Sequence, residues 1–427
     1  MKPPFIILGA LAIIVLLAVG VLTGLLPGLR EGEPDPFTLT VWGLDPPAAW
    51  EAIAASYREA GPTATVTYVA KDPATYEAEL LNALAAGGGP DVLFVKDEWL
   101  GRHGDKLRRL ADGEDGYRRR DFRATFADGL LGAIVDAEGA LLGVPLGMDT
   151  LALFYNRDYF NSAGIPAPPA TWEEFAEYAR RLTRRSAVGG IERSGVAVGT
   201  AANVEHAADI FTALIYQSGG AILDAAGRSS ALRSQAATEA LAFYTSFAAP
   251  TRKTYAWNAF FERSLTAFAN GDTAMAFGYA SDVAGIAAKN PQLNFDVAPL
   301  PQPARPKAEI TLGRFTVLAV ARTSREARQA WRFIRWFSER EQQQFYAEAV
   351  GLPSARRDLT GLKPPREYLQ PFYDQVLTAR AVPVAPGGSI GAIVNDMIDA
   401  VANRRFSVDQ AISQAETNIS ALFEKQP

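Results

Sequence analysis

Three carboxylates stand where strands of this chain give way to turns. Asp45 follows Phe37–Trp42, Asp97 follows Asp91–Val95, and Asp149 stands at the entrance to Leu151–Tyr155. An ionised carboxylate is acceptor-only, and its two oxygens can take hydrogen bonds from a polar ligand. Two carboxylates at a fixed separation could instead hydrolyse a glycosidic bond, but among 47 acidic residues no spacing fixes such a pair. Ser389 lies in Gly387-Gly388-Ser389-Ile390-Gly391, which has the form of a nucleophile elbow. That chemistry needs a histidine base later in the chain, and none follows His206; Pro383 and Pro386 also deny the elbow its strand. His103 and His206 are the two histidines, cysteine is absent, and so a histidine-rich or thiolate metal site is excluded. Both histidines read as solvated surface residues. No arrangement of these residues specifies catalysis, and no cofactor and no metal are expected.

The elements that must position these groups alternate. Phe37–Trp42, Thr65–Val69 and Asp91–Val95 read as strands, separated by helices around Trp50–Tyr57 and over Tyr76–Ala86. Such alternation implies a parallel sheet with crossover helices, and ligands bind beyond the carboxyl ends of its strands. That rule nominates Asp45, Lys96 and Asp97. Gly87-Gly88-Gly89-Pro90 precedes a strand and lacks a following Lys-Ser/Thr, so it is a turn and not a phosphate loop. The stretch Gly147-Met148-Asp149-Thr150 reads as a polar turn leading into Leu151–Tyr155, an apolar run of the kind buried on both faces. After Pro166, Pro168 and Pro169, Thr171-Trp172-Glu173-Glu174 supplies a capping box for the next helix. Thr323-Ser324-Arg325-Glu326 reads as a second box, Gly195–Gly199 as a strand, and Phe261–Phe268 as a helix. Thr273–Phe277 is an apolar run with Gly278–Asp282 at its carboxyl end, and helices cover Ile390–Ala402 and Val408–Phe423.

At 427 residues the chain exceeds what one core usually serves, so two lobes are expected. The net charge of −5 argues against nucleic acid or an anionic membrane surface as partner. Phe5 to Leu26 carries no charge and, at ~1.5 Å per residue, spans a ~30 Å hydrocarbon core. It reads as one uncleaved transmembrane anchor, with secretion after signal cleavage as the alternative. Lys2 before it and the acidic stretch after it place the soluble part outside.

In order along the chain, TVWG (40–43), GPDVLFV (89–95), YNRDYFNSAGIPAPPATWEEF (155–175), SGGAI (218–222), FANGDTAMAFGYASDV (268–283), AWRFIRWFSERE (330–341) and GLPSARRD (351–358) closely resemble extracellular solute-binding protein family 1. These are the maltose-binding-protein-like sugar receptors of ABC importers, and the resemblance covers residues 37 to 427. It implies an α/β fold, a type II periplasmic-binding-protein-like clamshell of two lobes with hinge crossings near 146–152, 311–316 and 351–355. The lobes would be 37–146 with 314–352 and 147–313 with 353–427, preceded by an anchor and stalk over 1–36. The resemblance further implies a small polar ligand, in the first place a sugar or polyol, a monomeric receptor, and ABC permease subunits as partners. It sets Asp149, Asn203, Tyr279, Asp282 and Ser389 beside Asp45 and Asp97 as ligand-binding positions. The family's second stacking aromatic, just after Ser389, is missing here, and Trp42 or Trp257 would have to replace it. An adaptor of the same fold without a transport role is the alternative.

Overall fold

Leu151 to Phe154 explains the architecture locally. Leu151 and Leu153 pack into one hydrophobic core and Ala152 and Phe154 into another, all without exposed surface. Side chains alternate across a strand, so a strand apolar at every position must be covered on both faces. The computed structural model describes residues 36–424 apart from 62, 137 and 387. The anchor expected over Phe5–Leu26 lies outside the described residues; among those described, no helix is long and apolar enough to cross a membrane.

The strands are β1 (Phe37–Gly43), β2 (Ala64–Ala70), β3 (Val92–Lys96), β4 (Val144–Thr150), β5 (Ala152–Asn156), β6 (Arg184–Arg185), β7 (Ile191–Arg193), β8 (Met275–Gly278), β9 (Phe295–Ala298), β10 (Thr311–Val320) and β11 (Ala379–Ala381). The larger sheet runs β11-β10-β3-β1-β2, with β4 also paired to β10. β1 pairs in parallel with β2 and β3, as the strand–helix alternation requires. The sheet is nevertheless mixed, because β10 enters antiparallel beside β3 and takes β4 antiparallel on its other edge. Sequence alternation reports only neighbours joined by a crossover helix, and β10 arrives from far along the chain. The smaller sheet, β8-β5-β9, is antiparallel throughout, and β6 and β7 form a separate hairpin.

Each sheet has its own core. One gathers residues from Leu39 to Met148, then Phe315 to Ala355, with Val376 and Ala379. The other gathers Leu151 to Leu312 and then Val382 to Ile419, and a third cluster covers the outer face of the smaller sheet. The chain therefore changes core between Met148 and Leu151 and again between Leu312 and Phe315. These segments run side by side, since the Leu151 amide donates to the Leu312 carbonyl at 2.8 Å and the Met148 amide to the Pro353 carbonyl at 2.9 Å.

Several local expectations need correction. Gly147–Thr150 is not a polar turn but the end of β4, paired residue by residue with β10. Gly195–Gly199 forms no ladder: Ala197 donates once to the Met275 carbonyl, and the segment is otherwise an extended buried passage. The helix expected from Phe261 begins at Ser264. The capping box at Thr171 forms, with Glu174 returning the bond. The one at Thr323 does not: the helix starts at Ala327, and it is Ser324 Oγ that accepts the Glu326 amide at 3.1 Å while donating to Asp91 Oδ1 at 2.6 Å.

The helix Asp128–Ile134 lies against β11, and a β-carbon at Gly129 would collide with the Ala379 carbonyl. Gly132 in the same helix faces open space. Gly129→Ala should therefore destabilise the fold by about 1–3 kcal/mol, whereas Gly132→Ala should stabilise it by up to about 1 kcal/mol. Urea unfolding of both variants tests this; equal effects would refute the close packing.

Candidate functional site

A cavity of about 470 Å³ opens between the two sheets. Asp45 lines it from the turn after β1, Lys96 from the end of β3, and Asp97 and Glu98 from the helix Asp97–His103 that follows directly. His206, Tyr279 and Ser281 face them from the smaller-sheet side, and Asp149, Arg314 and Thr316 come from the paired strands β4 and β10. Five of the nominated residues thus converge: Asp45, Lys96, Asp97, Asp149 and Tyr279.

The donors that reach each carboxylate set its state. Asp149 is a buried anion met by backbone, with Ala280 N–H donating to Oδ1 at 2.7 Å and Ser281 N–H to Oδ2 at 2.9 Å. Burial still outweighs these bonds and pushes its pKa up to about 6. Asp45 Oδ2 accepts the Trp50 indole N–H at 3.0 Å and the Tyr346 hydroxyl at 2.7 Å, and burial raises it too. Asp97, 4% exposed, accepts the Glu98 amide on Oδ1 at 2.8 Å, while its Oδ2 is enclosed with no hydrogen-bond partner. Burial pushes Asp97 up to about 6 against the pull of Arg314.

Arg314 joins the two sides. Its Nε and Nη2 donate to the two oxygens of Asp209 at 3.0 and 2.8 Å, and its Nη1 lies 3.5 Å from Asp97 Oδ1. Asp209 belongs to the helix Ala207–Gln217 and also accepts the Tyr279 hydroxyl at 2.8 Å. Burial would raise Asp209, but the guanidinium more than offsets it, so the carboxylate is held below its usual range. His206 is not a solvated residue. It adopts a left-handed conformation (φ 61°), and its Nε2 sits 2.9 Å from Asp282 Oδ2. Burial lowers its pKa, yet the Asp282 contact wins and the net shift is upward.

The other nominated residues lie elsewhere. Asp282 stands one step behind the wall, accepting the Tyr279 amide at 2.8 Å as well as facing His206. Trp42 is half-buried on the sheet face opposite Val41, with the Lys71 ammonium 3.7 Å from its ring centre. Trp257 is wholly buried, stacked 4.5 Å from Phe261, and donates to Asn203 Oδ1 at 3.1 Å. Asn203 brackets that loop by donating to the carbonyls of Asn258 and Phe261, because a buried amide must find partners. Ser389 caps the helix Ile390–Ala402 and lines a smaller cavity of about 60 Å³ that shares Glu98 and Arg314 with the first. Arg314 and Asp209 escaped sequence reading although a signal was present: each is a charge inside an apolar run, LGRFTVLAV and AADIFTALIY, and a charge so placed needs a partner.

The raised pKa of Asp97 has a defined sign. Its folded value, about 6, lies above the unfolded value near 4, so its contribution to stability is present below about pH 4 and lost as pH rises through about 6. Relative to Asp97→Asn, the wild type should lose about 1–3 kcal/mol between pH 4 and pH 7. Urea unfolding of both at several pH values measures it; a difference independent of pH would contradict the burial assignment.

Comparison with known proteins places the fold. A Brucella abortus protein named only as a binding protein is 31% identical over 113 residues, which is 26% of this chain and 26% of that protein. The match thus spans about a quarter of that relative's length. The structure of a cyclic α-maltosyl-1,6-maltose binding protein from Arthrobacter globiformis superposes with a TM-score of 0.76 at 20% identity, covering 92% of this chain and 100% of that one. A Mycobacterium tuberculosis protein in complex with glycerophosphocholine gives 0.70 at 22% identity, over 91% and 99%. Such likenesses show the α/β fold. The model of the bacterial extracellular solute-binding proteins matches residues 42–344, and the chain belongs to that family.

Proposed function

We propose that the chain is the extracytoplasmic binding component of an ABC importer, which takes a small polar solute, in the first place a carbohydrate, into the cavity between the sheets. Asp97 carries this reading: it is a buried carboxylate on the cavity wall with one oxygen that accepts nothing. That oxygen is enclosed in this structure, and a ligand hydroxyl that reaches it as the lobes move is the donor that would satisfy it. The cavity volume suits a ligand of one or two sugar rings. The sugar-binding relative from Arthrobacter globiformis supports the ligand class.

In this reading residues 37–146 with 314–352 and 147–313 with 353–427 are two lobes, and the strands that change core are the hinge. A ligand that touches both lobes favours the closed form by its differential affinity. Closure presents the receptor to a permease, and the monomer is held at the membrane by Phe5–Leu26.

Calorimetry with monosaccharides, disaccharides, polyols and glycerol phosphodiesters should find at least one neutral sugar or polyol that binds. Asp97→Asn should weaken that binding about tenfold or more. Silence across the panel, or an unaffected Asp97→Asn, would remove the reading.

A further inference from the structure

The cavity holds an arginine that a ligand cannot easily use. Two of the guanidinium's donor groups are spent on Asp209, and the third lies 3.5 Å from Asp97 Oδ1 and 3.7 Å from Glu98 Oε2. The Asp209 side chain is 5% exposed and that of Arg314 30%, so solvent reaches the guanidinium but scarcely the carboxylate. Around it, Asp45, Asp97, Glu98 and Asp149 line the wall against the cations Lys96 and Arg314. Lys96 leans over the Trp99 ring at 5.3 Å. His206 is already matched by Asp282.

On the solute-binding reading above, we infer that Asp209 is a specificity-determining residue: by neutralising Arg314 from within the protein, it makes the cavity accept uncharged polyhydroxylated solutes and reject their phosphate esters. Like charges meet in a site partly shielded from water, where their repulsion is strong. An isolated arginine in the same place would do the opposite, since its planar fork matches phosphate oxygens bidentately. One buried carboxylate therefore separates a site for neutral sugars from a site for anions. Asp209 is suited to the task because the ion pair keeps it ionised through the neutral and mildly acidic range. The Tyr279 hydroxyl fixes its orientation from the cleft side.

The test is calorimetry at low and moderate salt with each neutral sugar that binds and with its phosphate monoester. The wild type should bind the monoester roughly a hundredfold more weakly than the sugar. Asp209→Asn should improve monoester binding by about tenfold or more and so narrow that ratio, and adding Arg314→Gln should restore it. Thermal melts check that the variants are folded. Should Asp209→Asn fail to fold, Glu98→Gln, at a half-exposed position, should narrow the ratio in the same direction. Equal binding of sugar and monoester by the wild type would overturn the inference while leaving the solute-binding reading intact. So would an unchanged ratio in folded Asp209→Asn or, in its place, Glu98→Gln. Binding of neither sugar nor monoester would overturn both.

Discussion

The ion pair between Arg314 and Asp209 is the constraint on which the site depends. Arg314 lies in β10, the strand that belongs to the larger sheet, and Asp209 lies in a helix of the smaller-sheet core. Neither charge could stay where it is without the other, because an unpaired ion in a buried setting is expensive. The pair does more than balance charge. It orients the Tyr279 phenol, sets one side of Asp97, and shares Glu98 with the smaller cavity next to Ser389. A single bidentate contact thus fixes the positions of groups that arise from distant parts of the chain.

Asp149 makes a second tie of a different kind. It sits in β4, registered opposite Arg314 on β10, and accepts two backbone N–H groups from the turn after β8. Those amides begin the short helical turn Ala280–Asp282, where orphan donors and a carboxylate suit each other. Strand pairing in the larger sheet and the turn of the smaller one are coupled through this side chain. The result is a wall built from both halves with few loose polar groups.

Much of the fold was legible from residue pattern. The unbroken apolar run at Leu151–Phe154 specified a strand covered on both faces, and the Thr171 box specified where the next helix starts. Long-range pairing was not legible. Nothing near β10 announces that it enters antiparallel beside β3 and β4, and the Thr323 box gave way to Ser324, whose Oγ accepts the Glu326 amide while donating to Asp91, distant in sequence. The site was legible in part for the same reason. Strand-end carboxylates could be named, whereas the part played by Asn203 and Trp257 depended on a loop that folds back over them.

Residue type alone could not rank the acids of the cavity, and the donor inventory does so. Asp149 has both oxygens met by backbone, and Asp45 is held by an indole and a phenol. Both are therefore parts of the wall. Asp209 is spent on Arg314 and Tyr279. Both bonds to Asp45 fall on Oδ2, but Asp97 alone among these four keeps a buried oxygen with no partner, and burial makes that vacancy costly. A protein retains such a group only where something supplies the missing donor or the cost is borne by the rest of the fold. The same four carboxyl groups, read as a composition, would suggest a uniformly acidic pocket. Read through their donors, they divide into three that the protein itself holds and one, Asp97, that keeps a buried oxygen unmet.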